Sequence, residues 1–365
     1  MMTDNSVECR ILYRMKLSER TTAITGITLL CVIFGALFLM HDRMPAENTA
    51  HLTDKNTPVS LATTTPEGKP FQYVVFAFDG SRSLEEWRET LDFAKNMNQS
   101  GVPIHFTYFI NAIYLMPENK KDTYHPPHNP VGTSLIGYGA SPEEVGQRIS
   151  LINEAYESGH EIGSHGVGHI PGYGWTKEDW ISELSQFNAI LDRARNGIDT
   201  TVPLRVPASA IQGFRSPDLV TNSGLDEALD GLGYKYDTSH TTRMGMWPKH
   251  IGKHWEMSLA SIPHEGKHDI LSMDYNFYIS DSDGKDTLQK DTPLWHKKHD
   301  EMLASYMSYF TAHYMSNRAP IFIGHHFSDW NDGLYWSVMQ DAVKAMCAKQ
   351  YVRCATHQET MNYMN

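Results

Sequence analysis

Two histidines, His165 and His169, flank three small residues in the segment Gly163-Ser164-His165-Gly166-Val167-Gly168-His169. Imidazoles four residues apart can face one point, either along one helical turn or on a loop that wraps an ion. The pair follows a helix-like run that ends near Gly159 and then a short apolar strand. This order is typical of a metal site at a strand end in an α/β protein. The chain contains 19 histidines, so a chance pair is also expected. The alternative is therefore that these two are surface or capping histidines.

Other ionisable side chains follow predicted strands in the same way. In parallel α/β architectures the chemistry sits at the carboxyl ends of the strands. The residues that meet this condition are Asp79, His165, His169, Arg215, Asp274, His325 and His326. Their recurrence after five strands predicts one shared polar site rather than scattered structural residues.

The elements that would position these residues alternate between strands and helices. Tyr73–Phe78 is a continuous apolar run of the type that forms a buried parallel strand. Ser141 and Pro142 predict a helix start as N-cap and first helical residue. The predicted strands are 73–78, 105–110, 160–164, 213–215, 270–273, 320–324 and 351–355, and the predicted helices are 83–98, 142–158, 177–195, 336–348 and 358–363. This order predicts βα units around a parallel sheet in a single domain, with residues 112–140 as a long insertion.

Composition narrows the class of protein. The chain has 365 residues, 41% of them hydrophobic, which is enough for a sizeable core. Its formal net charge of -12 argues against nucleic acid as a partner, because a phosphate backbone needs a basic face. The same charge argues against electrostatic adhesion to anionic lipid.

The N-terminal region predicts a membrane anchor. Residues 21–41 are uncharged over nearly their whole length and mostly apolar, and about 20 such residues span a bilayer. Arg10, Arg14, Lys16 and Arg20 precede this run, which predicts a cytoplasmic N-terminus. The residues after the run make a poor signal-peptidase site, so a retained signal anchor is favoured over a cleaved signal peptide or a buried core helix.

The predicted organisation is therefore a cytoplasmic tail at 1–20, a transmembrane signal anchor at 21–41, a stalk at 42–70 and a catalytic-size domain at 71–365. The domain is expected on the extracytoplasmic or periplasmic side of a single-pass inner (cell) membrane. Cys347 and Cys354 would then lie in a compartment that permits disulfides. They flank a predicted turn, so both a bridge and two buried thiols remain open.

Several segments together resemble the polysaccharide deacetylase family, also called the NodB-homology or carbohydrate esterase family 4 group. The resemblance covers roughly Tyr73 to Met364 and is closest to chitin-deacetylase-like members. The segments that carry it are His165-Gly166-Val167-Gly168-His169 for the His-[Ser/Thr]-x-x-His motif, Phe214-Arg215-Ser216-Pro217 for Arg-x-Pro, Leu232-Gly233-Tyr234-Lys235-Tyr236-Asp237, and Ile323-Gly324-His325. The resemblance implies a distorted (β/α) barrel and metal-dependent removal of acetyl groups from an N-acetylated sugar polymer.

One departure from the family pattern affects the metal site. The first motif of the family is Thr-Phe-Asp-Asp-Gly, whereas this chain has Ala77-Phe78-Asp79-Gly80-Ser81. Aligned on Phe78, Asp79 takes the place of the general base and Gly80 that of the metal-binding Asp. Aligned on Gly80, Asp79 becomes the metal ligand and the base is lost. We prefer the first alignment because the strand fixes the Phe.

The resemblance also implies a role for each candidate residue. His165 and His169, with Asp79 or Asp274 or a water as a further ligand, would bind a divalent metal, for which Zn²⁺ is the first choice. Asp79 would be the general base held by Arg215, and either His325 or His326 would protonate the leaving amine. Asp237 or Asp274 would orient the histidine or the arginine. A turn-capping role is the favoured alternative for Asp237, and a structural role is an equal alternative for Asp274.

Aromatic residues near the motifs, namely Trp175, Trp330 and Tyr275, are candidates for stacking on a sugar ring, with packing under a loop as the alternative. The predicted function is a membrane-anchored deacetylase that acts on a cell-envelope or extracellular glycan. A glycan-binding protein on a degenerate deacetylase scaffold is the alternative that the missing Asp motivates. A third reading is another metal-dependent amidohydrolase with a small substrate, since fold does not fix substrate.

Overall fold

The computed structural model describes residues 64–264, 266 and 268–365. These residues belong to one compact unit, Leu61–Asn365. Within the described ranges, no helix has both the length and the apolarity that crossing a bilayer requires. The predicted tail and anchor, and most of the predicted stalk, lie outside the described residues.

The chain forms a parallel sheet that is covered by helices on its outer side. In the described part of the chain the strands are β1 (Gln72–Asp79), β2 (Thr107–Ile110), β3 (Glu161–Ser164), β4 (Gly213–Phe214), β5 (Tyr236–Asp237), β6 (Thr241–Arg243), β7 (Lys249–Ile251), β8 (His254–Glu256), β9 (Leu259–Ile262), β10 (Ile270–Leu271), β11 (Ile321–His326) and β12 (Val352–Cys354). The helices are α1 (Leu84–Gln99), α2 (Pro142–Glu157), α3 (Lys177–Arg195), α4 (Ser223–Leu232), α5 (Asp274–Ser282), α6 (Pro293–Met315), α7 (Trp330–Cys347) and α8 (His357–Met364). Short 3₁₀ turns occupy Ala112–Leu115, Glu118–Thr123, Ala208–Ala210 and Pro217–Leu219.

The main sheet has the order β11-β1-β2-β3-β4-β5-β8-β7, with β12 added beside β1. Every pair in it is parallel except β7 with β8. A second sheet, β10-β9-β6, reaches β11 through a bridge between Met273 and Gly324. The sheet is therefore curled into a partial barrel, which confirms the predicted α/β barrel class.

Alternation along β1 and β11 separates the inside of the curled sheet from its outside. Val74, Phe76 and Phe78 pack in the large core between sheet and helices, whereas Val75 and Ala77 pack in a smaller core inside the curl. In β11 the outward residues are Ile321 and Ile323, and Phe322 points inward. Since successive side chains point to opposite faces, Asp79 and His326 point inward, while His325 points outward with Phe78.

Local signals predicted several elements closely. Ser141 caps α2 through its side chain, which accepts from the Glu144 N–H, and Pro142 is the first helical residue. Helix α3 has the predicted bounds, Lys177–Arg195. Helix α7 begins at Trp330, six residues before the predicted start.

The sequence did not predict the elements between β4 and β10 or helix α6. Helix α6, with Pro293 at its start and Thr292 as its N-cap, spans 23 residues, and α4 follows the Arg-x-Pro segment. Strands β5 to β9 have only two to four residues each. Such short strands present too few residues for a period-2 pattern to emerge.

A disulfide joins Cys347 at the end of α7 to Cys354 in β12, with a Cα–Cα distance of 5.6 Å. The structure thus decides between the bridge and the free thiols in favour of the bridge. We expect reduction to lower the free energy of unfolding by about 2–3 kcal/mol, the loop-entropy scale for so short a loop. Urea unfolding with and without reductant measures this. A Cys347→Ser/Cys354→Ser variant should not respond to reductant, and a wild type that also fails to respond would contradict the expectation.

Candidate active site

Asp79 ends β1 inside the curled sheet, where it forms an ion pair with Arg215. The Arg215 Nη1 lies 2.8 Å from the Asp79 Oδ1, and the two residues are 0% and 3% exposed. Arg215 also donates through Nε to the Thr238 Oγ1 at 2.7 Å and lies over the Phe109 ring at 4.6 Å. A buried pair with this support holds the carboxylate in one orientation.

His165 and His169 lie beside this pair. Their ring centroids are 5.0 Å apart and the planes cross at 71°. The His165 Nδ1 is 2.7 Å from the Arg215 carbonyl oxygen. Because a carbonyl only accepts, Nδ1 carries the proton and Nε2 keeps its lone pair. This is the arrangement of a metal-ligating histidine, whose other ring nitrogen donates to a backbone carbonyl.

Both imidazoles of the pair are held in the neutral form that binds a metal. Burial lowers the pKa of His165 to about 3. Burial also lowers the pKa of His169, although the charge of the Asp218 carboxylate opposes the shift. Asp218 follows the Arg-x-Pro segment directly, is exposed and has a φ of 54°. Sequence reasoning missed this carboxylate, and its position next to the motif was the signal available.

The donor chemistry of the histidine pair fits a divalent metal, but the third ligand is not in place. The only described group of three metal-type ligands whose donor atoms all lie within 4.8 Å of one another is His264, Asp281 and Glu301. There the Lys298 Nζ already lies 2.8 Å from Glu301 and 3.3 Å from Asp281. That ammonium group already provides a counter-charge to both carboxylates.

His326 faces Asp79 across the pairing of β1 with β11, where the two residues are register partners. Asp274, at the start of α5, holds it with both oxygens: the His326 Nδ1 is 2.6 Å from Oδ1, and the His326 N–H donates to Oδ2 at 2.8 Å. Burial lowers the pKa of His326, but the Asp274 carboxylate outweighs burial, and the net effect is a raised pKa. This histidine therefore keeps a proton to higher pH than usual.

His325 lies on the outer side of the sheet, away from Asp79, although its Nδ1 is 3.6 Å from the Asp274 Oδ2. Its Nε2 lies 3.2 Å from the Tyr306 hydroxyl on α6, and its ring contacts Phe78 in the outer core. Burial lowers the pKa of His325 to about 4. Of the two predicted acids, the structure brings only His326 to Asp79.

Asp237 also lies outside the site. Its oxygens accept from the Ser239 hydroxyl at 2.6 Å and the Ser239 N–H at 3.2 Å, and Ser239 in turn accepts from the Ser216 N–H at 2.8 Å. Tyr236 points into the curl, so Asp237 points outward. The predicted orienting role of Asp237 is therefore limited to the backbone after Arg215.

Two of the three predicted aromatic residues flank His326. The Trp330 ring lies 5.3 Å from the His326 ring and stacks on Tyr278 at 4.6 Å. Tyr275 is 45% exposed with its ring 6.0 Å from His326. Trp175, by contrast, is 5% exposed and packs edge-on against Trp180, so its ring face is not offered to a ligand.

A cavity of about 240 Å³ adjoins His326 on the side of α1. Its wall combines aromatic and acidic residues, namely Phe78, Glu85, Glu86, Glu89, Phe327, Asp329 and Trp336. Burial, reinforced by the charge of Asp329, raises the pKa of Glu86 to about 7. Among the predicted site residues, only His326 lines this cavity, and sequence reasoning did not anticipate its carboxylate-lined wall.

Comparison with known proteins supports the resemblance found in the sequence. A family model described as polysaccharide deacetylase matches residues 104–222, about a third of the chain. The match confirms the resemblance to a class of hydrolases that act on carbon-nitrogen amide bonds. A search of curated proteins found no match.

One solved structure supports the fold at low sequence identity, and two others match with lower TM-scores. A protein from Mycobacterium smegmatis assigned as a polysaccharide deacetylase is 14% identical, with a TM-score of 0.50, over 82% of this chain and 92% of that one. A family 4 carbohydrate esterase from Streptomyces lividans is 13% identical, with a TM-score of 0.39, over 78% and 91%. A family 4 pseudoenzyme from Bacillus anthracis is 9% identical, with a TM-score of 0.40, over 80% and 66%.

Proposed function

We propose that this polysaccharide deacetylase-like chain is a metal-dependent hydrolase that removes N-acetyl groups from a cell-envelope or extracellular glycan. The observation that carries the proposal is the placement of two oppositely arranged pairs inside the curl. Asp79 is a carboxylate held by a cation, and His326 is an imidazole held by an anion. Such opposed environments separate a base from an acid.

Each residue then has a defined task. Asp79, held by Arg215, accepts a proton from the attacking water, whose oxygen bonds to the acetyl carbon. His326, held by Asp274, donates a proton to the amide nitrogen as the carbon-nitrogen bond breaks. The products are acetate and a free amine on the sugar. Trp330 and Tyr275 beside His326 would support the sugar ring.

His165 and His169 would hold the metal, for which we propose Zn²⁺, with the Asp79 carboxylate or a water as a further ligand. When bound, the ion would polarise the acetyl carbonyl and lower the pKa of the attacking water. The histidines bring neutral imidazoles to it, and the Arg215 carbonyl fixes the tautomer of His165.

The location of this activity is a proposal that rests on two features. The apolar run at 21–41 supports a single-pass inner-membrane anchor. The disulfide between Cys347 and Cys354 supports an oxidising, extracytoplasmic compartment for the folded part.

The test is metal content and acetate release measured on the same preparation. The full chain would be purified in detergent without chelator and assayed on chito-oligosaccharides and peptidoglycan. Near-stoichiometric zinc, together with acetate release that is lost in His165→Ala, supports the proposal. A folded protein that binds no metal and releases no acetate overturns it. Binding of an N-acetylated glycan by that protein would then establish the glycan-binding alternative.

Gly80 offers a gain-of-function test of the metal site. A Cβ at Gly80 would meet no atom within 4 Å, although its φ of +87° costs an L-residue about 1–2 kcal/mol. We expect Gly80→Asp to tighten zinc binding at least about tenfold, because added ligand charge tunes metal sites on that scale. Competition with a chromogenic chelator measures the change. Gly80→Asn carries the same strain without the charge, and equal affinity of the two variants would refute the expectation.

A further inference from the structure

A buried carboxylate, that of Glu183, binds the backbone of the loop between His165 and His169. The Glu183 Oε1 on α3 accepts from the Val167 N–H at 2.8 Å. Glu183 also accepts from the Tyr124 hydroxyl, which lies 2.9 Å from Oε2, and the Tyr124 oxygen accepts from the Gly168 N–H at 3.3 Å. The pair therefore binds two successive backbone amides between His165 and His169, those of Val167 and Gly168.

The small residues of the motif match this pair. A Cβ at Gly166 would lie 3.4 Å from the Glu183 Oε1. A Cβ at Gly168 would lie only 2.8 Å from the Tyr124 ring, closer than real Cβ contacts allow. Glycine at 168 lets the loop approach the Tyr124 ring closely enough to form these hydrogen bonds, whereas Gly166 is required by its φ of +72°.

The insertion that supplies Tyr124 also binds the carbonyls of the same loop. Ala112 donates to the Gly166 oxygen at 3.1 Å, and Leu135 donates to the Gly168 oxygen at 3.0 Å. His169 ends this hydrogen-bonded segment, and its own φ is 56°. A non-glycine residue holds that conformation only where its surroundings fix it.

Glu183 is an unusual choice for a purely structural anchor. It is 3% exposed, and burial raises its pKa to about 7. Among the described residues it has no basic ion-pair partner within 4.0 Å. A buried carboxylate without a cation is costly, but its two oxygens can accept from an amide and a hydroxyl at once.

We propose that Glu183 and Tyr124 are positioning residues for the metal: by fixing Val167 and Gly168 they carry the His169 ring to within 5.0 Å of the His165 ring. This inference rests on the proposed function, since it concerns the histidine pair to which we assign the metal. It assigns the insertion at 112–140 a role in building the site.

A second glutamate of the same chain provides a matched control. Glu161, at the start of β3, is also buried, its pKa is likewise raised to about 7 by burial, and it accepts from the Tyr236 hydroxyl at 2.8 Å. It lies at the end of β3 opposite to His165. Loss of Glu161 should therefore cost stability in the same way as loss of Glu183, without moving the histidines.

The experiment measures the zinc dissociation constant of the full chain by chelator competition, with the visible spectrum of the Co²⁺-loaded protein as a second readout. We expect Glu183→Ala and Tyr124→Phe to weaken zinc binding about 10- to 100-fold, the usual effect of losing a group that orients metal ligands. Glu161→Ala and Tyr236→Phe should bind zinc as the wild type does. Glu183→Gln should recover part of the affinity, because its amide oxygen still accepts from Val167.

Each outcome decides the inference. Equal zinc affinity of Glu183→Ala and wild type, or equal losses in the Glu183 and Glu161 variants, overturns it and leaves the proposed function standing. A wild type that binds no zinc overturns both. If Glu183→Ala does not fold, Tyr124→Phe decides, because it removes one hydroxyl oxygen and keeps the packed ring.

Discussion

Asp79→Asn is expected to lower kcat for acetate release about 10²- to 10⁴-fold while the protein keeps its bound zinc. The rate loss is the usual cost of removing a general base. The amide oxygen of Asn still accepts from Arg215, whose Nη1 lies 2.8 Å from the Asp79 Oδ1, so the local geometry survives. Acetate release and metal content measured on the same sample test both halves of the expectation.

The same variant decides between the two alignments of the first motif. If Asp79 is the base, the metal stays and the rate falls. If Asp79 is instead the metal ligand that Gly80 fails to supply, zinc is lost with the activity. An unchanged rate would remove Asp79 from the mechanism altogether.

Arg215 provides the control for folding. Asp79→Asn leaves a fully buried guanidinium without its counter-charge, and breaking a buried ion pair from one side destabilises by about 3–5 kcal/mol. An Asp79→Asn/Arg215→Met variant removes both charges and should regain stability. Loss of activity in this folded double variant, with zinc retained, would show that the defect is chemical.

The sequence predicted a structural feature well when the residues that determine it lie close together along the chain. The bounds of α3 and the cap of α2 follow from local signals, because capping residues act within one turn. The convergence of Asp79, His165 and Arg215 also followed, since they come directly after parallel strands. Predicting that these three residues converge required only the order of the strands and helices.

The choice between His325 and His326 could not be made from the sequence. Strands buried on both sides read as continuous apolar runs, so β1 and β11 carry no alternation that marks the inner face. The answer required the register of Phe78 opposite His325 and Asp79 opposite His326. Once one inward residue is known, the period of two fixes the others.

The supports of the histidine loop were out of reach for a different reason. Tyr124 and Glu183 are 59 residues apart and belong to an insertion and a helix that carry no family motif. Glu183 also sits in a helix whose polar residues look like an ordinary solvated face. Only the packed structure shows that this carboxylate is turned inward against Val167.

His326→Gln is expected to lower kcat on N-acetylated glycans about 10²- to 10⁴-fold, the cost of losing a general acid. The effect should be far smaller on an activated acetyl ester such as p-nitrophenyl acetate, because its leaving group departs without a proton. His325→Gln serves as the matched control: it changes the neighbouring histidine, which bonds Tyr306 on the outer side of the sheet. That variant should lose stability and keep the ratio of the two rates.

The pH dependence of kcat tests the same role of His326 as the general acid. His326 acts as an acid only when protonated, so the rate should fall as pH rises through its pKa. The Asp274 carboxylate, 2.6 Å from the His326 Nδ1, raises that pKa against the effect of burial. Asp274→Asn removes the charge, and the fall in kcat should therefore begin at lower pH than in the wild type. An unshifted profile, or equal losses in the His325 and His326 variants, would exclude His326 as the proton donor to the leaving amine.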